Sequence, residues 1–216
     1  MKAITLFLAI FFYGGAFGQE LIWVFLNKKV DKEELPEEQV KKIMDGHMAN
    51  INRLDKEGKL LAAGPFEGGG GIFIFKSISK DEVNDWLSTD PGVQAKRWDV
   101  EVFKYTPRIG SVCAVGESYE MTNYWFVRYS VQAALSSMAM MEKALELHQE
   151  YIAHWASEGS VIAEGMLDEE VGSILVLKNE PTVEMLKNDP AVKSATLNTD
   201  LKKLFIAGGS FCELKP

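Results

Sequence analysis

The sequence predicts an α+β chain in which two βαββαβ units lie in tandem and pack together as one body. Three observations predict it: residues that match at a fixed offset, the same order of strand and helix periodicity in both halves, and strands that are apolar on both faces. The segment HMANINRLDKEGKLLAAGPF from His47 lines up without a gap on HQEYIAHWASEGSVIAEGML from His148, which brings Gly58 onto Gly159 and Gly64 onto Gly165. The match extends outward, with Trp23-Val24-Phe25 against Trp125-Phe126-Val127 and Gly71 to Phe75 against Gly172 to Val176. Asp90-Pro91 meets Asp189-Pro190, and Gly110-Ser111-Val112-Cys113 meets Gly209-Ser210-Phe211-Cys212. The first unit is placed at residues 19–115 and the second at 123–216, with a linker at 116–122 where Gly116, Glu117 and Ser118 mark a loop.

The elements of one unit follow in order. Leu21 to Leu26 is a short apolar run rich in aromatic and branched residues, the pattern of a buried strand. From Leu35 to Gly58, Val40, Ile43, His47, Ile51 and Leu54 recur at spacings of three and four, one face of an amphipathic helix ended by glycine. Leu60 to Ala63 and Ile72 to Phe75 are strands joined through Gly68 to Gly71. Those glycines run into a strand rather than a helix, so they predict a hairpin turn and not a phosphate cradle. Asp81 to Ser88 is a second helix stopped ahead of Pro91, and Trp98 to Tyr105 alternates with period two as a closing strand. Tyr124 to Phe205 repeats this order.

Such a unit lays its helices on one face of a four-stranded sheet and leaves the other bare. In Ile72 to Phe75 and in Ile174 to Leu177 apolar residues are consecutive, so both faces of these strands must be buried. The sheet of the other unit is the simplest cover. Each large side chain buried there contributes about 1.5–3 kcal/mol.

Of 216 residues 47% are hydrophobic and 25% charged, an ordinary globular composition. The net charge of -8, with no basic stripe, excludes nucleic acid as an expected partner. Residues 1–18 place Lys2, the apolar run Ala3 to Tyr13 and then small residues in the order of a secretory signal, with cleavage expected after Gly18. A spanning helix needs about 20 apolar residues, more than this run has. The expected mature protein is therefore secreted or periplasmic, with no membrane segment. Cys113 and Cys212 then stand as either a disulfide or two buried thiols.

A strand opening the unit, a helical histidine eleven residues before a glycine, Gly64-Pro65 after the next strand and Asp90-Pro91 after the second helix together make the chain resemble the YCII-related proteins of the dimeric α/β barrel superfamily, twice over. The resemblance implies a ferredoxin-like fold whose two sheets pair into a barrel, here as a pseudo-dimer within one chain. It also implies a helical histidine and an Asp-Pro aspartate as the active-site pair, and in one branch the elimination of chloride from a chlorinated hydroxyquinol. Carried over by position, the candidates are His47 with Asp90 and His148 with Asp189. The chain departs from the pattern at Gly92 and Ala191, where an aromatic often follows Asp-Pro, and at Met166, opposite Pro65.

A histidine exchanges protons near neutral pH, and a carboxylate on one ring nitrogen leaves the other free as general base or acid. The bland alternative is a histidine packed beneath the sheet and an Asp-Pro that begins a turn. His154 meets Arg53 in the other half and reads as a surface residue. The three histidines and two cysteines lack metal-ligand spacing, and no cofactor motif is present, so neither a metal nor a cofactor is expected. Met138, Met140 and Met141 read as core and helix-start residues rather than a soft ligand pocket. The expected activity is proton transfer, lyase or dehydrochlorinase in type, on a small aromatic or carbonyl-bearing molecule. The alternatives are a non-catalytic module binding such a molecule in the same fold, and a purely structural role.

Overall fold

The computed structural model describes residues 21–116, 118–132, 138–168 and 172–212, so the expected leader at residues 1–18 lies outside the described residues. The first unit runs β1 (Leu21–Lys28), α1 (Glu37–Lys56), β2 (Leu60–Pro65), β3 (Gly71–Phe75), α2 (Lys80–Leu87), α3 (Pro91–Gln94) and β4 (Trp98–Ile109), followed by the short β5 (Ser111–Val112). The second runs β6 (Met121–Val131), α4 (Met138–Ser157), β7 (Val161–Leu167), β8 (Gly172–Leu177), α5 (Val183–Asn188), α6 (Pro190–Lys193) and β9 (Leu197–Ala207), then β10 (Phe211–Cys212). Strand β6 starts inside the segment read as a linker.

Local chemistry explains the boundaries. Glu37 and Glu38 lie at the positive end of α1, while Arg53 and Lys56 lie at its negative end. Ser79 caps α2 by accepting the Glu82 amide. Asp90 caps α3, and Pro91 takes the first helical position, where a missing N–H costs nothing.

Eight strands form one sheet in the order β2-β3-β1-β4-β7-β8-β6-β9. The units meet at two seams. At the first, β4 pairs antiparallel with β7 from Tyr105↔Leu167 to Ile109↔Glu164, with a register shift after Pro107 that accommodates a residue lacking an amide proton. At the second, the end strands β2 and β9 approach, with Phe66 bridging to Leu204 and the Glu67 amide donating to the Lys203 carbonyl at 2.9 Å. Glycine permits both approaches: a Cβ on Gly64 would lie 2.4 Å from the Phe205 carbonyl oxygen, and one on Gly165 would lie 2.5 Å from that of Thr106. The sheet is thereby closed into a barrel.

Side-chain alternation then makes three cores. Ile72 and Ile74 of β3 point into the barrel with Trp23, Phe126, Ile174 and Leu204, a single cluster drawn from both units. Phe73 and Phe75 point the other way, against the helices of the first unit, and Leu175 and Leu177 do the same in the second. Every residue of β3 is buried, as its unbroken apolar run requires. At the barrel interface the Arg128 guanidinium lies 4.3 Å over the Phe25 ring and pairs with Glu101, joining second unit to first.

The barrel corrects two alignments: Gly71 to Phe75 match Ser173 to Leu177, one residue on from Gly172 to Val176, since Ile72 and Ile74 share the interior with Ile174 and Val176, and the first strands shift likewise. Trp23 faces the barrel interior, whereas Trp125 packs on the helix side. Trp23 pairs with Phe103 and Phe126 with Lys202, the sixth residues of β4 and β9, so Phe126 is the counterpart of Trp23. A slip of one residue exchanges the faces of a strand. Met140 is 64% exposed and is no core residue, although it does lie in the first turn of α4. Cys113 and Cys212 form a disulfide with Cα atoms 6.0 Å apart, beside the paired strands β5 and β10. No described helix is long and apolar enough to cross a membrane.

Candidate active site

In the first unit α1 and the start of α3 bring a histidine and an aspartate together on the helix side of the sheet. His47 Nδ1 lies 3.0 and 2.9 Å from the two carboxylate oxygens of Asp90. Asp90 Oδ1 also accepts the amides of Gly92 at 2.8 Å and Val93 at 3.1 Å, and Oδ2 accepts the Asn50 side-chain amide at 3.1 Å. One residue therefore caps a helix and orients a histidine: the two readings of Asp90 hold together. A carboxylate surrounded by donors only accepts, so Nδ1 of His47 is the donor. No described residue hydrogen-bonds Nε2 of His47.

Burial of Asp90 opposes its charge, but the hydrogen bond and charge of His47, the Val93 amide and Asn50 together outweigh it, holding the carboxyl below its usual value of 3.8. Asn50 lies one helical turn after His47, and its carbonyl accepts Arg53 at 2.8 Å. Arg53 in turn donates to Thr89 at 2.9 Å and to Glu57 at 2.7 Å, so a polar chain runs from the dyad to the surface. The His47 ring lies 5.7 Å from Phe73 and 4.8 Å from Trp98, and is 6% exposed. Gly92 is explained by the same ring: a Cβ there would lie 2.4 Å from Trp98. The aromatic absent after Asp-Pro is supplied by β4.

The second unit brings its pair together by the same elements but surrounds it differently. His148 Nδ1 lies 2.6 Å from Asp189 Oδ2, and Asp189 Oδ1 accepts the Ala191 amide at 2.9 Å. Tyr151 occupies the place of Asn50 and donates to the Met185 carbonyl at 3.0 Å instead. Ser173 Oγ lies 3.5 Å from His148 Nε2. Tyr129 stands edge-on to the His148 ring at 4.7 Å, and its buried hydroxyl has no partner among the described residues. Burial, with the charges of Asp189 and Glu164, pushes that phenol far above its ordinary value. Glu164 is itself buried and held by Arg108 through paired hydrogen bonds.

Sequence reasoning named both dyads but missed Asn50, Trp98, Ser173 and Tyr129. Asn50 was within reach, three positions after His47 on the same helix face. Ser173, a hydroxyl inside an apolar strand, was a signal too. Exposed His154 pairs with Glu158 and lies outside both sites. Among the described residues, no three His, Cys, Asp or Glu side chains are placed to hold a metal ion. Two concavities of about 510 and 260 Å³ lie away from the dyads, one on the outer face of α1 around Arg53 and Lys56 and one at the β2–β9 seam around Phe66 and Phe205.

Residues 22–106 match the model of the YCII-related domain. No curated protein matches the chain in sequence. Among solved structures, the chain is similar to a "putative monooxygenase" from Lactobacillus acidophilus NCFM, at 13% identity over 91% of this chain and 99% of that one, with a TM-score of 0.45. A second "putative monooxygenase", from Fusobacterium nucleatum, is 11% identical over 93% and 99% of the two chains, with a TM-score of 0.47. A "putative chlorite dismutase" is 8% identical over 87% and 94%, also with a TM-score of 0.47.

Proposed function

We propose, from the premise that residues 22–106 are a YCII-related domain, that the first unit transfers a proton on a small aromatic or carbonyl-bearing molecule. His47 is the general acid or base through Nε2, and Asp90 fixes its tautomer and orientation. One observation carries this reading: Nδ1 is taken by both oxygens of Asp90, while Nε2 has no partner among the described residues. That is the arrangement a proton-transferring imidazole needs. The lyase or dehydrochlorinase character belongs to the same proposal, as a proton removed from carbon is the first half of such an elimination. The second unit is proposed as a diverged copy of the domain, supported by its repeated element order.

The protein is proposed to act outside the cytoplasm, on the support of the leader pattern at residues 1–18 and of a disulfide, which persists in oxidising compartments. The test is turnover of a panel of hydroxylated, chlorinated and carbonyl-bearing aromatics by purified protein. Wild type is expected to turn over a member of the panel and His47→Ala to lose at least about 100-fold, the usual contribution of general acid–base catalysis. Turnover unchanged in a folded His47→Ala protein contradicts the assignment. Binding with no turnover in any sample supports the binding-module alternative.

A further inference from the structure

We propose that the second unit holds a nucleophilic acyl-transfer site made of Ser173, His148 and Asp189, with the Tyr129 hydroxyl as oxyanion donor and a small carboxylic ester as the class of substrate. The inference is independent of the proton-transfer reading of the first unit. Asp189 accepts the Nδ1 proton of His148 at 2.6 Å, which leaves Nε2 as the acceptor, and the hydroxyl facing it at 3.5 Å is that of Ser173. Nucleophile, base and orienting carboxylate thus stand in series, at a nucleophile–base distance within the looser range such pairs show before substrate binds.

Tyr129 supplies the second, separate observation. It lies directly opposite Ser173 across the β6–β8 ladder, so both side chains leave the same face. It is 1% exposed, and its hydroxyl has no partner among the described residues. An unsatisfied buried hydroxyl carries an uncompensated desolvation cost. At the corresponding place in the first unit the cross-strand pair is Leu26 and Gly71, and its His–Asp dyad holds without either hydroxyl. Two hydroxyl-bearing side chains on one face beside the second dyad, one within 3.5 Å of the imidazole and the other with its ring against it and its hydroxyl without a partner among the described residues, fit a carbonyl group that arrives from outside.

In the reaction, Ser173 Oγ forms a bond to the ester carbonyl carbon while its proton passes to His148 Nε2. The carbonyl π electrons move to oxygen, which accepts the hydrogen bond of Tyr129. Collapse of this intermediate breaks the bond to the alkoxide, which leaves with the proton from His148. Water then attacks the acyl-serine by the same route, releasing the acid and restoring Ser173.

The test is labelling of the full disulfide-bonded chain with a small dialkyl fluorophosphate, followed by peptide mass spectrometry. One adduct on Ser173 is expected, formed at least 100-fold more slowly in His148→Ala and at least tenfold more slowly in Tyr129→Phe, with exposed His154→Ala as the unaffected histidine control. Ser173→Gly, which restores the residue of the first unit, is expected to remain folded by circular dichroism and to take no label. No adduct on Ser173 in folded wild type overturns the proposal. So does an adduct that forms equally fast in folded Tyr129→Phe and His148→Ala.

Discussion

The two dyads of this molecule occupy matching places, but their surroundings differ. Asp90 holds His47, Asn50 and two backbone amides, and the far nitrogen of its histidine meets no described protein group. Among the described residues Asp189 holds His148 and one amide, and the far nitrogen of that histidine faces Ser173. The same scaffold position thus supports a well-anchored imidazole with a free end in one half and an imidazole directed at a hydroxyl in the other. Two units of one element order share the positions of a histidine and an aspartate, whereas the neighbours of each pair decide what it can do.

The largest expected effect concerns what ties the halves together. Replacing Cys113 and Cys212 by serine opens a cross-link of 99 residues' separation and is expected to lower unfolding stability by about 4–5 kcal/mol in the chain-entropy model. Denaturant unfolding reads this, and a change below about 1 kcal/mol would mean that the barrel alone holds the units. Next comes the comparison of the aspartates. Removing one partner of a buried ion pair costs about 3–5 kcal/mol, and Asp90→Ala is expected at the top of that range because it strands His47, Asn50 and two amides. Asp189→Ala, with fewer partners, is expected to cost less in the same measurement, and the reverse order would break the comparison.

A smaller effect of opposite sign is expected at Tyr129. Its hydroxyl has no partner to lose, so Tyr129→Phe is expected to leave stability unchanged or raise it by about 1 kcal/mol. Tyr151→Phe, which removes the bond to Met185, is expected to lower it by a similar amount. Thermal melts of the two variants side by side check the contrast. The smallest effect is in pH. The Asp90 carboxyl is held below its unfolded value of 3.8, so its stabilising contribution is fully present above that pH and is lost as pH falls through the depressed folded value. Acid titration of unfolding stability should therefore fall more steeply below pH 3.8 in wild type than in Asp90→Asn, and equal slopes would remove Asp90 as the cause.

Much of this architecture was readable from residue order. The three-and-four spacing around His47 specified α1, and the unbroken apolar run of β3 required a second sheet on its far side. The positions of Cys113 and Cys212 favoured a bridge only slightly over two buried thiols, and the pairing of β5 with β10 is what brings them together. The site neighbours were less legible for physical reasons. Tyr129 and Ser173 meet across a ladder, so their proximity depends on register between distant segments. Matching Trp23 to Trp125 by identity put the register off by one, because identity is blind to which face of a strand a residue occupies. Trp98 fills the space left by Gly92 from a different element, which no local pattern announces.

The free end of His47 can be read directly by nitrogen-15 and proton NMR of the histidine side chains. The geometry predicts a proton on Nδ1 of His47, strongly hydrogen-bonded to Asp90, and an Nε2 without a hydrogen-bond partner among the described residues. A His47 ring protonated on Nε2, with Nδ1 bare, would contradict the Asp90 contact and the proton-transfer role built on it.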